Sequence, residues 1–185
     1  MHNNMEIKPH PSFLEILFAH KSKVSSIFRD IIGIHEINHI AVSCINARKE
    51  LITFSSTPAL EYNLFSSNLW CFDKTYQAHW YERCTQSSWQ SLYSPARYDE
   101  LYYIKQGRHR YPLGMSLAAK WQDQFFIYSL ASRKSCQNTH DLFSQEYESF
   151  YKIGQYCSSS LIPLFTQMFN YCEAHPLQLQ PIGML

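Results

Sequence analysis

Two long stretches of this chain repeat apolar residues at helical spacing, and the segments between them carry the patterns of strands. Phe13, Leu17, His20, Val24, Ile27 and Ile31 follow at alternating steps of four and three, the period of one buried stripe on an amphipathic helix. Ser12 and Glu15 form an S-x-x-E capping box at its start, and Gly33 stops it. Phe143, Tyr147, Phe150, Gly154, Cys157, Leu161, Leu164 and Met168 repeat the same steps on a long final helix, capped within 138–141. Pro163 lies inside that helix and predicts a kink after the Ser158–Ser160 run. Between the stripes, the β-branched run 34–45, a turn at 46–49 and Glu50–Ser55 predict one hairpin. Leu113–Trp121, a turn through 122–124 and the return 125–131 predict a second. The two helical stripes can pack on each other and on the same face of the sheet.

The segment between the hairpins carries the candidate chemistry. Thr57 is a good N-cap and Pro58 a good first helical residue, since proline lacks only an N–H that would have no partner there. Leu60, Leu64, Phe65 and Leu69 give that helix an apolar face. Asp73 then stands as an isolated acid among Trp70, Phe72, Tyr76, Trp80 and Trp89. Rings that exclude water around one orienting carboxylate suit a small-molecule pocket. The alternative is an aromatic-rich core with Asp73 at the surface. A short helix is expected over 96–105, and the cluster from Lys105 to Arg110 reads as a solvated basic patch.

Composition narrows the function classes. Sixteen basic residues against fifteen acidic give a net charge of +1, too little to draw the chain to nucleic acid or an anionic membrane. The start of the chain lacks the basic and apolar regions of a signal peptide, and no stretch is long and apolar enough to span a bilayer, so a cytoplasmic location is expected. The six cysteines are scattered without a C-x-x-C pair and read as reduced, mostly buried thiols. Aromatic residues make up 16% of the chain and concentrate between Tyr62 and Tyr111, which places them on the pocket side. Length and pattern give one domain over 1–172, followed by a tail or linker over 173–185.

One short motif competes with the pocket. Residues 35–39 read HEINH, matching H-E-x-x-H, which on a helix puts two histidines on one face of a zinc site with the Glu beside the metal-bound water. The preceding helix has ended at Gly33, and on a strand His35 and His39 would stand about 13 Å apart. The segment is therefore read as strand and metal-free, with a small zinc hydrolase using Glu61 as third ligand as the rival. No cofactor-binding loop or nucleophile elbow is present.

The order helix, hairpin, aromatic lid, hairpin, long helix describes an α/β (α+β) sandwich of the PAS/GAF-like kind. Its antiparallel sheet has terminal helices on one face and a ligand-pocket lid on the other. From about Ser12 to Phe169 it resembles the autoinducer-binding domain of LuxR-type transcription regulators. Asp73 matches the family's Asp that binds the ligand amide, Trp89 falls within a residue of its pocket Trp, Gly114 is similar to the glycine before the second hairpin's strand, and Ser129 looks like the small hydroxyl residue of the last strand. Leu60 and Leu64 occupy the places of the family's lactone-contacting aromatic and Tyr. An acyl-homoserine lactone would there forgo hydrogen bonds worth about 0.5–1.5 kcal/mol each. The resemblance thus implies a non-enzymatic signal-sensing domain without cofactor. It would bind a small apolar or amphipathic ligand through Asp73, Trp89, Leu60, Leu64, Trp70 and Ser129, or act through a protein partner. The alternative is a ligand-free, dimerising interaction module. The family's helix-turn-helix has no counterpart in the chain, so no direct binding to nucleic acid is expected.

Overall fold

Alternation along the strands decides the architecture. The computed structural model describes residues 6–174 and contains β1 (Lys8–Pro9), β2 (His39–Ile45), β3 (Glu50–Ser55), β4 (Gln86–Ser88), β5 (Leu113–Trp121) and β6 (Gln124–Ser132). They form one sheet in the order β1-β3-β2-β6-β5-β4, antiparallel throughout except for β1 beside β3. Both expected hairpins are present. In the first, Asn46 Oδ1 accepts the N–H groups of Arg48 at 3.0 Å and Glu50 at 2.9 Å, which closes the turn.

On one face β2, β3, β5 and β6 present Val42, Phe54, Leu117 and Tyr128 to α2 (Lys21–Arg29), α7 (Gln137–Gln145) and α8 (Tyr147–Ala174), whose Phe28, Phe143, Phe150 and Leu161 complete a buried apolar layer. Gly154 belongs in the α8 stripe because a Cβ there would sit 2.3 Å from the Tyr128 ring. The Tyr128 hydroxyl lies 2.9 Å from Ser158 Oγ, one turn further on. Cys157 is a free, buried thiol in this layer, and burial pushes it up to about 12.

The middle of the opposite face of the same strands is small and hydroxyl-bearing, between Ile45, Leu51 and Ile127 at one end and His39 at the other. Ala41 pairs across the sheet with Ser55 and Ser129, Ser43 with Thr53, and Ser116 with Ser129. Side chains this short leave a volume that the facing layer must fill. That layer is the lid: α3 (Pro58–Ser66), turns at 69–72 and 74–76, α4 (Ala78–Tyr81), α5 (Trp89–Leu92) and α6 (Tyr98–Tyr102), which widens into a π-helical turn over 103–108. The three-layer α/β sandwich is therefore present, with α2, α7 and α8 on one face and the lid on the other.

Local details differ from the periodicity. The first stripe is two helices, α1 (Phe13–Ile16) and α2, because His20 between them is left-handed at φ 53°. Phe13 and Leu17 consequently join the lid-side core, while Val24 and Phe28 join the other. The final helix is likewise divided, at Glu146, and α8 runs unbroken through Pro163 to Ala174. Residues 175–185 of the expected tail lie outside the described residues. Among the described residues, no helix is long and apolar enough to cross a membrane.

Candidate functional site

Asp73 ends one lid turn and caps the next. Its Oδ1 accepts the Thr75 N–H at 3.0 Å, and the residue is 1% exposed, so it is not the surface acid of the alternative reading. Its Oδ2 accepts from Lys105 Nζ at 2.7 Å, and Lys105 is itself buried. The Lys105 ammonium sits 4.6 Å from the centre of a Trp89 ring and 5.1 Å from that of Tyr93, so two π-faces cover what the carboxylate does not. This corrects the reading of residues 105–110 as a solvated patch. Arg108 and Arg110 are exposed, but Lys105 lies four residues after the buried Leu101 and continues its inward face. Burial pushes the Tyr93 hydroxyl well up, Asp73 adds to the shift, and the hydroxyl donates to Gln106 Oε1 at 3.0 Å.

Trp89 lies directly on β5. A Cβ at Gly114 would come within 2.2 Å of its ring, so the glycine is the seat on which the indole rests. The indole Nε1–H donates to Ser129 Oγ at 3.0 Å. Two residues singled out from sequence are thus bonded to each other, and Gly114 is the reason that they can be.

A second polar group faces the same layer. His39 opens β2, and Glu61 projects from α3 between Leu60 and Leu64, with 0% and 3% exposure respectively. His39 Nε2 and Glu61 Oε1 are 3.4 Å apart, an ion-pair distance without hydrogen-bond geometry. His39 packs on Tyr111 at 5.1 Å between ring centres and on Trp89 at 6.1 Å. His35, by contrast, sits in a left-handed turn before β2 and packs on Phe150 of α8, across the sheet. HEINH is therefore a turn followed by the first strand residue, not strand throughout, and its histidines serve opposite layers. Among the described residues, no three His, Cys, Asp or Glu side chains are grouped to hold a metal.

An opening of about 380 Å³ lies at the lid beside Trp70, Asp73 and Tyr76, lined also by Ile7, Ala78 and Tyr81; His39 and Glu61 do not line it. Trp70 is half-buried and stacks on Phe65 at 5.4 Å and 8°. Tyr76 lines the opening, and its buried hydroxyl is bonded to Ser43. Burial raises that hydroxyl's pKa well above its usual value, and the charges of Asp73 and Glu61 raise it further. Leu60 and Leu64 are fully buried in the lid-side core.

No protein-family model matches the sequence, and no curated protein does. Solved structures do. SdiA in complex with octanoyl-rac-glycerol aligns with a TM-score of 0.55 at 11% identity, over 82% of this chain and 64% of that one. CepR2 from Burkholderia cenocepacia, an N-acylhomoserine lactone dependent LuxR family transcription factor, aligns at 0.58 and 9% identity, over 84% and 93%. The ligand-binding domain of VqsR from Pseudomonas aeruginosa aligns at 0.52 and 12%, over 82% and 99%. The chain has the fold of the LuxR-type autoinducer-binding domains. It spans less than two thirds of the SdiA chain and nearly all of the VqsR domain.

Within this autoinducer-domain fold, the six residues singled out from sequence all lie on the lid side of the sheet, with Asp73, Trp89 and Ser129 linked through direct contacts and Lys105. Lys105, Glu61 and His39 were not among them. Glu61 falls within the Leu60–Leu64 stripe, and His39 alternates with Ala41 and Ser43 on the small-residue face, so their positions carried the signal that their charge concealed.

Proposed function

We propose that this chain is a non-enzymatic, signal-sensing regulatory domain that takes a small amphipathic molecule between lid and sheet. The observation that carries this reading is an aromatic lid over a sheet face whose middle is small and hydroxyl-bearing, with an opening of about 380 Å³ in the lid itself beside Asp73 and Tyr76. That volume lies within the usual range for small-molecule sites. The fold supports the reading, since SdiA holds octanoyl-rac-glycerol and CepR2 depends on an acyl-homoserine lactone. With a net charge of +1, any effect on transcription passes through another protein or another part of a longer chain, in the cytoplasm.

A second reading, an interaction module whose chamber is filled by its own side chains, draws on the Asp73–Lys105 pair, because both carboxylate oxygens already have partners. Thermal denaturation separates the two. At a hundredfold excess over Kd, 1-octanoyl-rac-glycerol should raise the midpoint by roughly 5–10 °C, from about 2.7 kcal/mol of linkage in a domain of this size. No shift with this compound or with N-octanoyl-homoserine lactone would favour the interaction module.

A further inference from the structure

We infer that the Glu61–His39 pair, buried between lid and sheet, is a polar subsite that takes the hydrogen-bonding headgroup of an uncharged acyl compound. The inference rests on the sensor reading above and moves the recognising carboxylate from Asp73 to Glu61. Asp73 has a donor on each oxygen, both from within the chain. Glu61 Oε2 and both ring nitrogens of His39 have no hydrogen-bond partner among the described residues, although both side chains are more than nine-tenths buried. Orphaned polar atoms in dry surroundings are costly, and their natural complement is a group supplied from outside.

The chemistry of that group follows from the pair. With His39 Nε2 and Glu61 Oε1 facing each other at 3.4 Å, His39 Nδ1 and Glu61 Oε2 remain for a group from outside. A hydroxyl or amide both donates and accepts and meets the two atoms at once, whereas a charged headgroup would be costly to bury in these dry surroundings. Leu60 and Leu64 flank Glu61 and offer apolar surface to a chain attached to that headgroup. Tyr76 lines the opening and its hydroxyl is bonded to Ser43 on the sheet, whereas Glu61 and His39 are buried and do not line it.

The test uses the full chain with 1-octanoyl-rac-glycerol as probe, followed by titration calorimetry and thermal denaturation. Glu61→Gln should weaken binding more than tenfold while its ligand-free midpoint stays at or above that of the wild type. The double variant His39→Leu with Glu61→Leu, which removes both orphans, should melt higher than the wild type and bind no probe. Binding within threefold of wild type in Glu61→Gln would overturn the inference and leave the sensor reading standing. A ligand-free midpoint below wild type in both variants would make the pair scaffold and also overturn it. A wild type that does not bind this probe would overturn the subsite, and one that binds neither it nor N-octanoyl-homoserine lactone would overturn the sensor reading as well.

Discussion

Lys105→Met is expected to cost the domain about 3–5 kcal/mol of stability, the usual penalty for stranding one partner of a buried ion pair. Methionine keeps most of the side-chain stem and its packing against Trp89 and Tyr93, so the loss falls on charge. Asp73 would keep only the Thr75 N–H on Oδ1, and Oδ2 would be left at 1% exposure with its 2.7 Å donor removed. Deleting both charges tells a different story. Asp73→Asn with Lys105→Met should be markedly more stable than Lys105→Met alone, because a neutral amide costs far less to bury than an unpaired carboxylate. Urea denaturation of the two single variants and the double variant measures the coupling directly. A loss below about 1 kcal/mol for Lys105→Met would place the pair in solvent rather than beneath the lid.

Gly114→Ala is the second large effect. The backbone at Gly114 needs no positive φ, so the objection to a side chain is space alone. The new methyl would lie 2.2–2.5 Å from three atoms of the Trp89 indole. Trp89 has little room to retreat, being 1% exposed and bonded to Ser129. Overpacking of this kind typically costs about 1–3 kcal/mol, and the displaced indole should shift the tryptophan emission as well. Gly107→Ala is the control, since its nearest neighbour would be the exposed Tyr103 ring at 3.3 Å. Wild-type stability and emission in Gly114→Ala would mean that Trp89 does not lie on β5.

How much of this was legible in the sequence depends on which forces set each feature. The two hairpins were readable because every second residue of β2, β3, β5 and β6 faces a deeply apolar layer, and the period of two survives in the sequence. The small edge strands β1 and β4 were not, because two or three residues held by backbone hydrogen bonds leave no side-chain pattern. The break at His20 was hidden for another reason: a histidine took a left-handed conformation more often given to glycine, so the apolar steps ran on across it. In the site, Asp73, Trp89, Gly114 and Ser129 were found through order and resemblance. Lys105 was missed because a run of basic residues was weighed by its charge, when its place four residues after Leu101 on the inner face of a helix was the better guide.

The most direct test of the account is a crystal structure of this chain grown with 1-octanoyl-rac-glycerol. The acyl chain is expected between lid and sheet, against Leu60, Leu64 and the hydroxyl-bearing strands. The glycerol is expected at Glu61 and His39, with Lys105 still bonded to Asp73. Glycerol bonded to Asp73 with Lys105 turned away, or the compound bound outside the lid layer, would contradict it.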